Sequence, residues 1–583
     1  MEVNGGGDLG VSAASPISAS LPGERRQGPP VAAAAAHLRP VRLGLLSLLP
    51  LALLLALLAA PITAIVVQGM AAPDGYWQHL LATVFLTYVT NTIVLCLGVG
   101  GIAAVAGTGT AWLISMYRFP GRRWLEWALI LPLAMPAYVL AYAYTDALQV
   151  TGPVQSFLRH TFGLRPGTYP FFEIRSLGGA VFVLGFALYP YVYLLARAAF
   201  SEQSGCALEV SRTLGCSPWS AFRRVALPAA RPAIATGVAF AVMETLADFG
   251  AVKYFEVQTY TTGIYRAWYG TANPTVAAQL ASLLLLFVFV ALAAERLSRR
   301  AGRHRHTGIR HRAMAREPLA GAGAAAAVVA CALPIAFGFA LPAISLLMMT
   351  QAGADDAPSV GRLVTLAGNT LLLGALASAV IVGCAIVALY SLRAARPTWH
   401  RLAMLLISLG YATPGVVIAV GILITIGVID RFLGEALWQS FGIHPGLILG
   451  GTLAAVVYGC LTRFFAVAYG PLEAALAKIK PSYEDAARLL RGSQASVLRH
   501  VHLPMMRPSL IAAALIVFVE VMKELPATMI LRPFNFDTLA TEAFQLATTE
   551  RLDAAAVPSL LIVAAGLVPV VILCREIRRS RQR

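Results

Sequence analysis

Apolar stretches of about 20 residues, such as "LALLLALLAAPITAIVVQG" from Leu51 to Gly69, recur along the whole chain, and that length is what a helix needs to cross a bilayer. In lipid every backbone N–H and C=O must be satisfied within the spanning structure, which leaves helix bundles or closed barrels. The runs are uninterrupted and lack the ten-residue alternation of barrel strands, so helices are selected. Charged residues make up 13% of the chain and hydrophobic ones 58%, against roughly 25% charge in a soluble domain. The reading is an all-α polytopic membrane protein. Twelve spans are expected, near 43–67, 90–115, 125–148, 177–199, 233–251, 277–295, 319–349, 365–391, 402–428, 447–470, 509–530 and 554–574. The first lies too far from the N-terminus for a simple signal peptide and is read as retained. Residues 1–40, rich in Gly, Ala, Ser and Pro, read as a disordered tail.

The net charge of +17 is not scattered. Arg39 and Arg42 precede span 1; Arg118, Arg122 and Arg123 follow span 2; Arg212, Arg223, Arg224 and Arg231 follow span 4. Eight arginines between Arg296 and Arg316 follow span 6, Arg393, Arg396 and Arg401 follow span 8, and Lys478, Lys480, Arg488, Arg491, Arg499 and Arg507 follow span 10. Five more, from Arg575 to Arg583, follow span 12. With twelve spans every cluster falls on one side, so the positive-inside rule places both termini in the cytoplasm. Topology thus accounts for the basic bias, and nucleic acid is not expected as a partner. The segment "RHRHTGIRHR" reads as a basic loop facing lipid headgroups rather than a metal site, and the seven cysteines, which form no CxxC pair, read as packing residues.

The chain repeats itself. Asn91-Thr92 recurs as Asn369-Thr370 and Pro136 as Pro414, 278 residues on; Pro228 recurs as Pro504 and Glu244 as Glu520, 276 residues on. Two six-span units in tandem have the same orientation, related by a pseudo-twofold axis along the membrane normal. The expected organisation is a tail (1–40), a first half (41–300), a basic linker (301–318) and a second half (319–583).

Between the fourth and fifth span of each half lies a charged, helix-prone island: "CALEVSRTLGCSPWSAFRRVALPAARPAI" and "YEDAARLLRGSQASVLRHVHLPMMRPSL". In the first, Glu209 suits a helix start, Gly215 a helix stop and Pro218 the first turn of a second short helix, with Pro228 and Pro232 breaking the chain before span 5. Two matching copies argue for a twofold partner.

The spacing of Glu209, Gly215, Val225, Leu227 and Pro228 resembles the EAA loop of ABC-importer permeases. The second copy reads Asp485-Ala486-Ala487 and ends on Leu503-Pro504, but Arg491 takes the glycine register and Gly492 stands one residue late. The segments Met243–Gly270 and Val521–Ala547 resemble the fused two-half permeases of ferric-iron importers, and the likeness covers nearly the whole chain after residue 40. It implies a type I ABC-importer permease fold in a bacterial inner (plasma) membrane. It also implies two copies of a cytoplasmic ABC ATPase docked on the two loops, a periplasmic substrate-binding protein, and membrane lipid around the bundle. ATP and Mg belong to the partner ATPase: the chain has no GxxxxGK[ST] phosphate loop, is not read as an enzyme, and needs no cofactor of its own. Thiamine or another small solute is the alternative cargo. A stand-alone secondary transporter is the alternative class, one that has no use for paired docking loops.

Inside the membrane, span 5 carries Glu244 and Asp248, and span 11 carries Glu520 and Glu524 with Lys523 beside them. Each acidic pair is i,i+4 and is expected on one helix face, toward the outer half of the bilayer, since Glu244 lies ~24 Å of helix rise beyond Pro228. Intramembrane charges are costly unless paired or facing water. Four carboxylates ringing a path would offer hard oxygen ligands to a hard cation. The same groups, neutralised by Lys523, would equally make a clamp or gate, and no metal ligand set is assigned. Tyr254, Tyr260, Tyr265 and Tyr269 are expected in an external segment, as an interface belt or docking face rather than a ferric site.

Overall fold

The computed structural model describes residues 49–72, 75–202, 215, 217–302, 316–352, 357–395, 400–443, 446–491 and 494–582. The N-terminal tail, Glu209, Gly492 and most of the basic linker fall outside these. The chain is all-α, a type I permease fold repeated twice. Among the described residues eleven helices are long and apolar enough to cross a membrane: Leu49–Gly69, Phe85–Met116, Leu177–Ser201, Pro218–Ala247, Pro274–Ala293, Gly321–Gln351, Val360–Arg393, Gly415–Phe441, Leu453–Ala477, Leu498–Lys523 and Leu552–Ile572. A bent pair, Arg122–Ala134 with Ala137–Phe162, makes a twelfth and stands third in chain order.

Two expected spans are broken where the repeat places a proline. The third turns by 95° at Met135-Pro136, and the ninth divides at Thr413-Pro414 into His400–Ala412 and Gly415–Phe441. A proline pushes its predecessor out of the helical region, and Met135 is accordingly extended (φ −107°, ψ 117°). Pro228 and Pro232 behave differently from the expectation. They lie inside a helix that runs unbroken from Pro218 to Ala247. A π-helical turn, Phe222–Ala226, immediately precedes the first of them, and the turn Leu498–His502 does the same before Pro504. The wider i→i+5 turn re-registers the ladder, so the missing N–H and the ring are accommodated.

The first helix of each half packs on the other half. Tyr458 Oη donates to the Leu57 carbonyl at 2.7 Å, and Tyr144 Oη donates to the Phe337 carbonyl at 2.6 Å. Where the second half begins, Glu317–Pro318 pairs in parallel with Tyr117–Arg118.

Each half also carries an inserted turn pinned by the asparagine of its Asn-Thr pair. Asn91 Nδ2 donates to the Gln258 carbonyl and Asn369 Nδ2 to the Asp537 carbonyl, both at 2.9 Å. Capping boxes at Thr259/Thr262 and Thr538/Thr541 start the next helices. These inserts fold back into the bundle. Tyr254 and Tyr260 are buried rather than presented outward, and Tyr269 Oη, though half exposed, donates to the Ile530 carbonyl at 3.0 Å. Tyr254 and Tyr260 thus pack the insert.

Candidate functional site

The fifth and eleventh spans end earlier than the apolar pattern suggests, at Ala247 and Lys523. Asp248 and Glu524 have left the helix, with ψ of 133° and 118°. Gly250 has little helical commitment and Pro526 has no N–H for the ladder. The carboxylates cap the short helices beyond the breaks: Asp248 Oδ1 accepts from Val252 N at 3.1 Å, and Glu524 Oε1 accepts from Ala527 N at 2.8 Å. The expected i,i+4 faces are therefore not formed, because a helix break separates the members of each pair.

Both breaks and the Pro136 turn meet at one cavity of about 160 Å³. Pro136, Gly250 and Pro526 line it, together with Glu244, Asp248, Glu520, Glu524, Lys523, Arg463 and Tyr411. The four carboxylates expected around a path all line this cavity. Their use differs, because each is already engaged. Glu244 Oε1 accepts from Tyr411 Oη at 2.9 Å, across the two halves. Glu520 Oε1 accepts from Lys523 Nζ at 2.9 Å, and the same ammonium reaches the Leu133 carbonyl of the first half at 3.4 Å. Arg463 Nε stands 3.6 Å from Glu524 Oε2. Among the described residues no three acidic, His or Cys side chains converge as a metal ligand set. The geometry is that of a hydrogen-bonded clamp whose charge is only partly compensated, by Lys523 and Arg463.

Gly415, the residue after the Pro414 turn, makes this packing possible. A Cβ there would lie 2.4 Å from Arg463 Nη1 and 2.9 Å from Glu524 Oε1. Arg463 and Tyr411 were not singled out from the sequence. Arg463 did carry a signal, a lone charge in an apolar span; Tyr411 carried none.

The two loops are placed less completely. Gly215 is left-handed, φ +79°, as a helix-stopping glycine is. Ser217 caps the next helix by accepting from Ser220 N. Val225 belongs to the π-turn, and Leu227 and Pro228 begin the α-helical stretch that continues the same helix beyond it. In the second half Asp485, Ala486 and Ala487 lie in the helix Pro481–Arg491, and Leu503 and Pro504 open the eleventh span. Trp219 and Leu489 are exposed on these loops.

Residues 99–303 and 391–580 each match the family described as binding-protein-dependent transport system inner membrane component. The Fe(3+)-transport system permease protein FbpB 2 of Haemophilus influenzae is 24% identical over 83% of this chain and 89% of its own length. The sulfate transport system permease protein CysT of Escherichia coli is 29% identical over 34% of this chain and 69% of its own. The molybdenum transport system permease protein ModB of Escherichia coli is 26% identical over 38% of this chain and 93% of its own.

Proposed function

The chain belongs to the family of binding-protein-dependent transport system inner-membrane components, and from that membership we propose that it is the fused permease of a ferric-iron importer. Its coarser role is that of a multi-pass inner-membrane permease subunit of an ABC importer. The observation that carries the iron reading is the single cavity, where each half supplies two carboxylates at a helix break. Four acids against Lys523 and Arg463 leave the lining negative by two charges when all are ionised, which favours a cation over an anion. The iron-transport relative also spans both halves in one chain, as this one does.

In this reading the loops of the halves 41–300 and 319–583 each receive one copy of a cytoplasmic ATPase. The contacts run through Glu209, Gly215, Val225, Leu227 and Pro228 in one loop and Asp485, Ala486, Ala487, Gly492, Leu503 and Pro504 in the other. ATP and Mg reside on that partner, and this chain brings no cofactor. The arginine clusters favour a cytoplasmic side for loops and termini, and in this reading the opposite face receives a periplasmic binding protein. Closure of the ATPases on ATP draws the loops together and rocks the halves about their axis. The clamp of Glu244, Asp248, Glu520, Lys523 and Glu524 then opens as a gate on the path, and iron passes the carboxylates when the clamp is released.

A second reading has an anchor too. Arg463 and Lys523 in the same cavity, with the sulfate and molybdenum permeases among the relatives, favour an oxyanion. Thiamine or another small solute remains the third cargo. A stand-alone secondary transporter is disfavoured by the two matched loops. The test is uptake of labelled ferric iron, sulfate, molybdate and thiamine by cells with and without the gene. Loss of iron uptake alone is expected. Loss of an anion or thiamine alone would replace the cargo and keep the permease.

A further inference from the structure

The second loop is tied to the bundle through a charged side chain. Glu484, in the first turn of the helix Pro481–Arg491, is paired with Arg393 at the end of the eighth span and accepts from His502 Nε2 at 3.1 Å when that nitrogen carries the proton. The carboxylate side chain is 12% exposed and His502 only 2%. Arg393 also donates to the carbonyls of Leu476 at 2.9 Å and Ile479 at 3.4 Å, where the tenth span ends. The Tyr390 ring meets His502 edge-on at 6.1 Å. The eighth and eleventh spans therefore converge on one carboxylate of the loop, and Arg393 ties the end of the tenth span to the same point.

His502 is the last residue of the π-turn that leads into the eleventh span. That span ends at Lys523 and carries Glu520, ~27 Å of helix rise beyond His502. The clamp at the loop and the clamp at the cavity are thus opposite ends of one helix. In the first half the repeat positions of Glu484 and His502 are Leu208 and Ala226, neither able to form an ion pair. Separating a buried, hydrogen-bonded charge pair is costly, so a trio of this kind passes displacement on where an apolar contact slips.

We infer that Glu484 is a positioning residue that locks the second loop to the eleventh span through Arg393 and His502, so that movement imposed on that loop is delivered to Lys523 and Glu520. The inference rests on the loops being ATPase contacts and is independent of the cargo. The test uses the full chain assembled with its ATPase in lipid nanodiscs, with spin labels at Glu256→Cys and Phe534→Cys. Both positions are exposed and lie in the inserts after the fifth and eleventh spans. ATP is expected to change the label distance in the otherwise unaltered chain. In Glu484→Gln the complex is expected to assemble and hydrolyse ATP while the distance change is lost. An undiminished distance change in Glu484→Gln would overturn the inference, as would an unaltered chain that does not move with ATP. Should Glu484→Gln not assemble, Glu484→Asp, which keeps the charge and shortens the arm, is read in the same way. Failure of any ATPase to bind the unaltered chain would instead refute the importer reading, and loss of iron uptake plays no part in this readout.

Discussion

The two halves match closely in skeleton and diverge in charge. Both turn at a proline in the third span of the half, both pass through a π-turn before a proline, and both end the acidic helix just before its second acid. Yet where the second half has Lys523, the first has Ala247, and both line the cavity. The tenth span contributes Arg463, while the fourth contributes Leu184, Ala187, Leu188 and Tyr191. The acids of the second half are held by their own cations. Those of the first are held by a tyrosine from across the interface and by backbone N–H groups. The repeat preserves what shapes the cavity, and the compensation of its charge is one-sided.

The sharpest way to break this comparison is to remove a second-half cation. Arg463→Ala leaves Glu524 buried without its partner and is expected to cost about 3–5 kcal/mol, as loss of one member of a buried pair does. Thermal unfolding in nanodiscs measures it, and Leu188→Ala in the fourth span is expected to cost less. An equal loss at the two positions would dissolve the asymmetry. Tyr411→Phe removes a hydrogen bond to a carboxylate and is expected to cost about 1.5–3 kcal/mol by the same assay. It tests the first half's dependence on the second directly. Gly415→Ala is expected to cost about 1–3 kcal/mol through overpacking against Arg463 and Glu524. Its repeat partner Ala137 already carries the methyl group that Gly415 lacks room for.

The smallest effect is expected where the halves meet through an exposed pair. Arg175 bonds Glu550 through both guanidinium nitrogens, at 2.8 and 2.9 Å, and holds its carboxyl below the ordinary value of 4.5. A depressed folded-state value means stability that is present above pH ~4.5 and lost as pH falls through the folded value. Glu550 is largely exposed, so the pair is worth no more than about 1 kcal/mol. Melting curves of the unaltered chain and Glu550→Gln should differ slightly at neutral pH and converge in acid.

Much of the fold was legible because apolar length, arginine placement and the 276–278-residue repeat each record a membrane constraint. The four acids were legible for the same reason, since charge is rare inside a span. The helix ends at Ala247 and Lys523 were not, because Asp248 and Glu524 look like i,i+4 helix residues until a buried capping bond is seen. The straight run through Pro228 was hidden because a π-turn has no sequence signature. Arg463 could have been found; Tyr411 and the Glu484 trio depend on contacts between distant spans, which periodicity does not encode.

The claim that carboxylates of both halves carry the cargo's passage is tested most directly by uptake of labelled ferric iron in cells expressing Glu244→Gln with Glu520→Gln, alongside ATPase co-purification. Uptake should fall while the ATPase is still captured. Normal uptake by that double variant would contradict both the gate and the cation path.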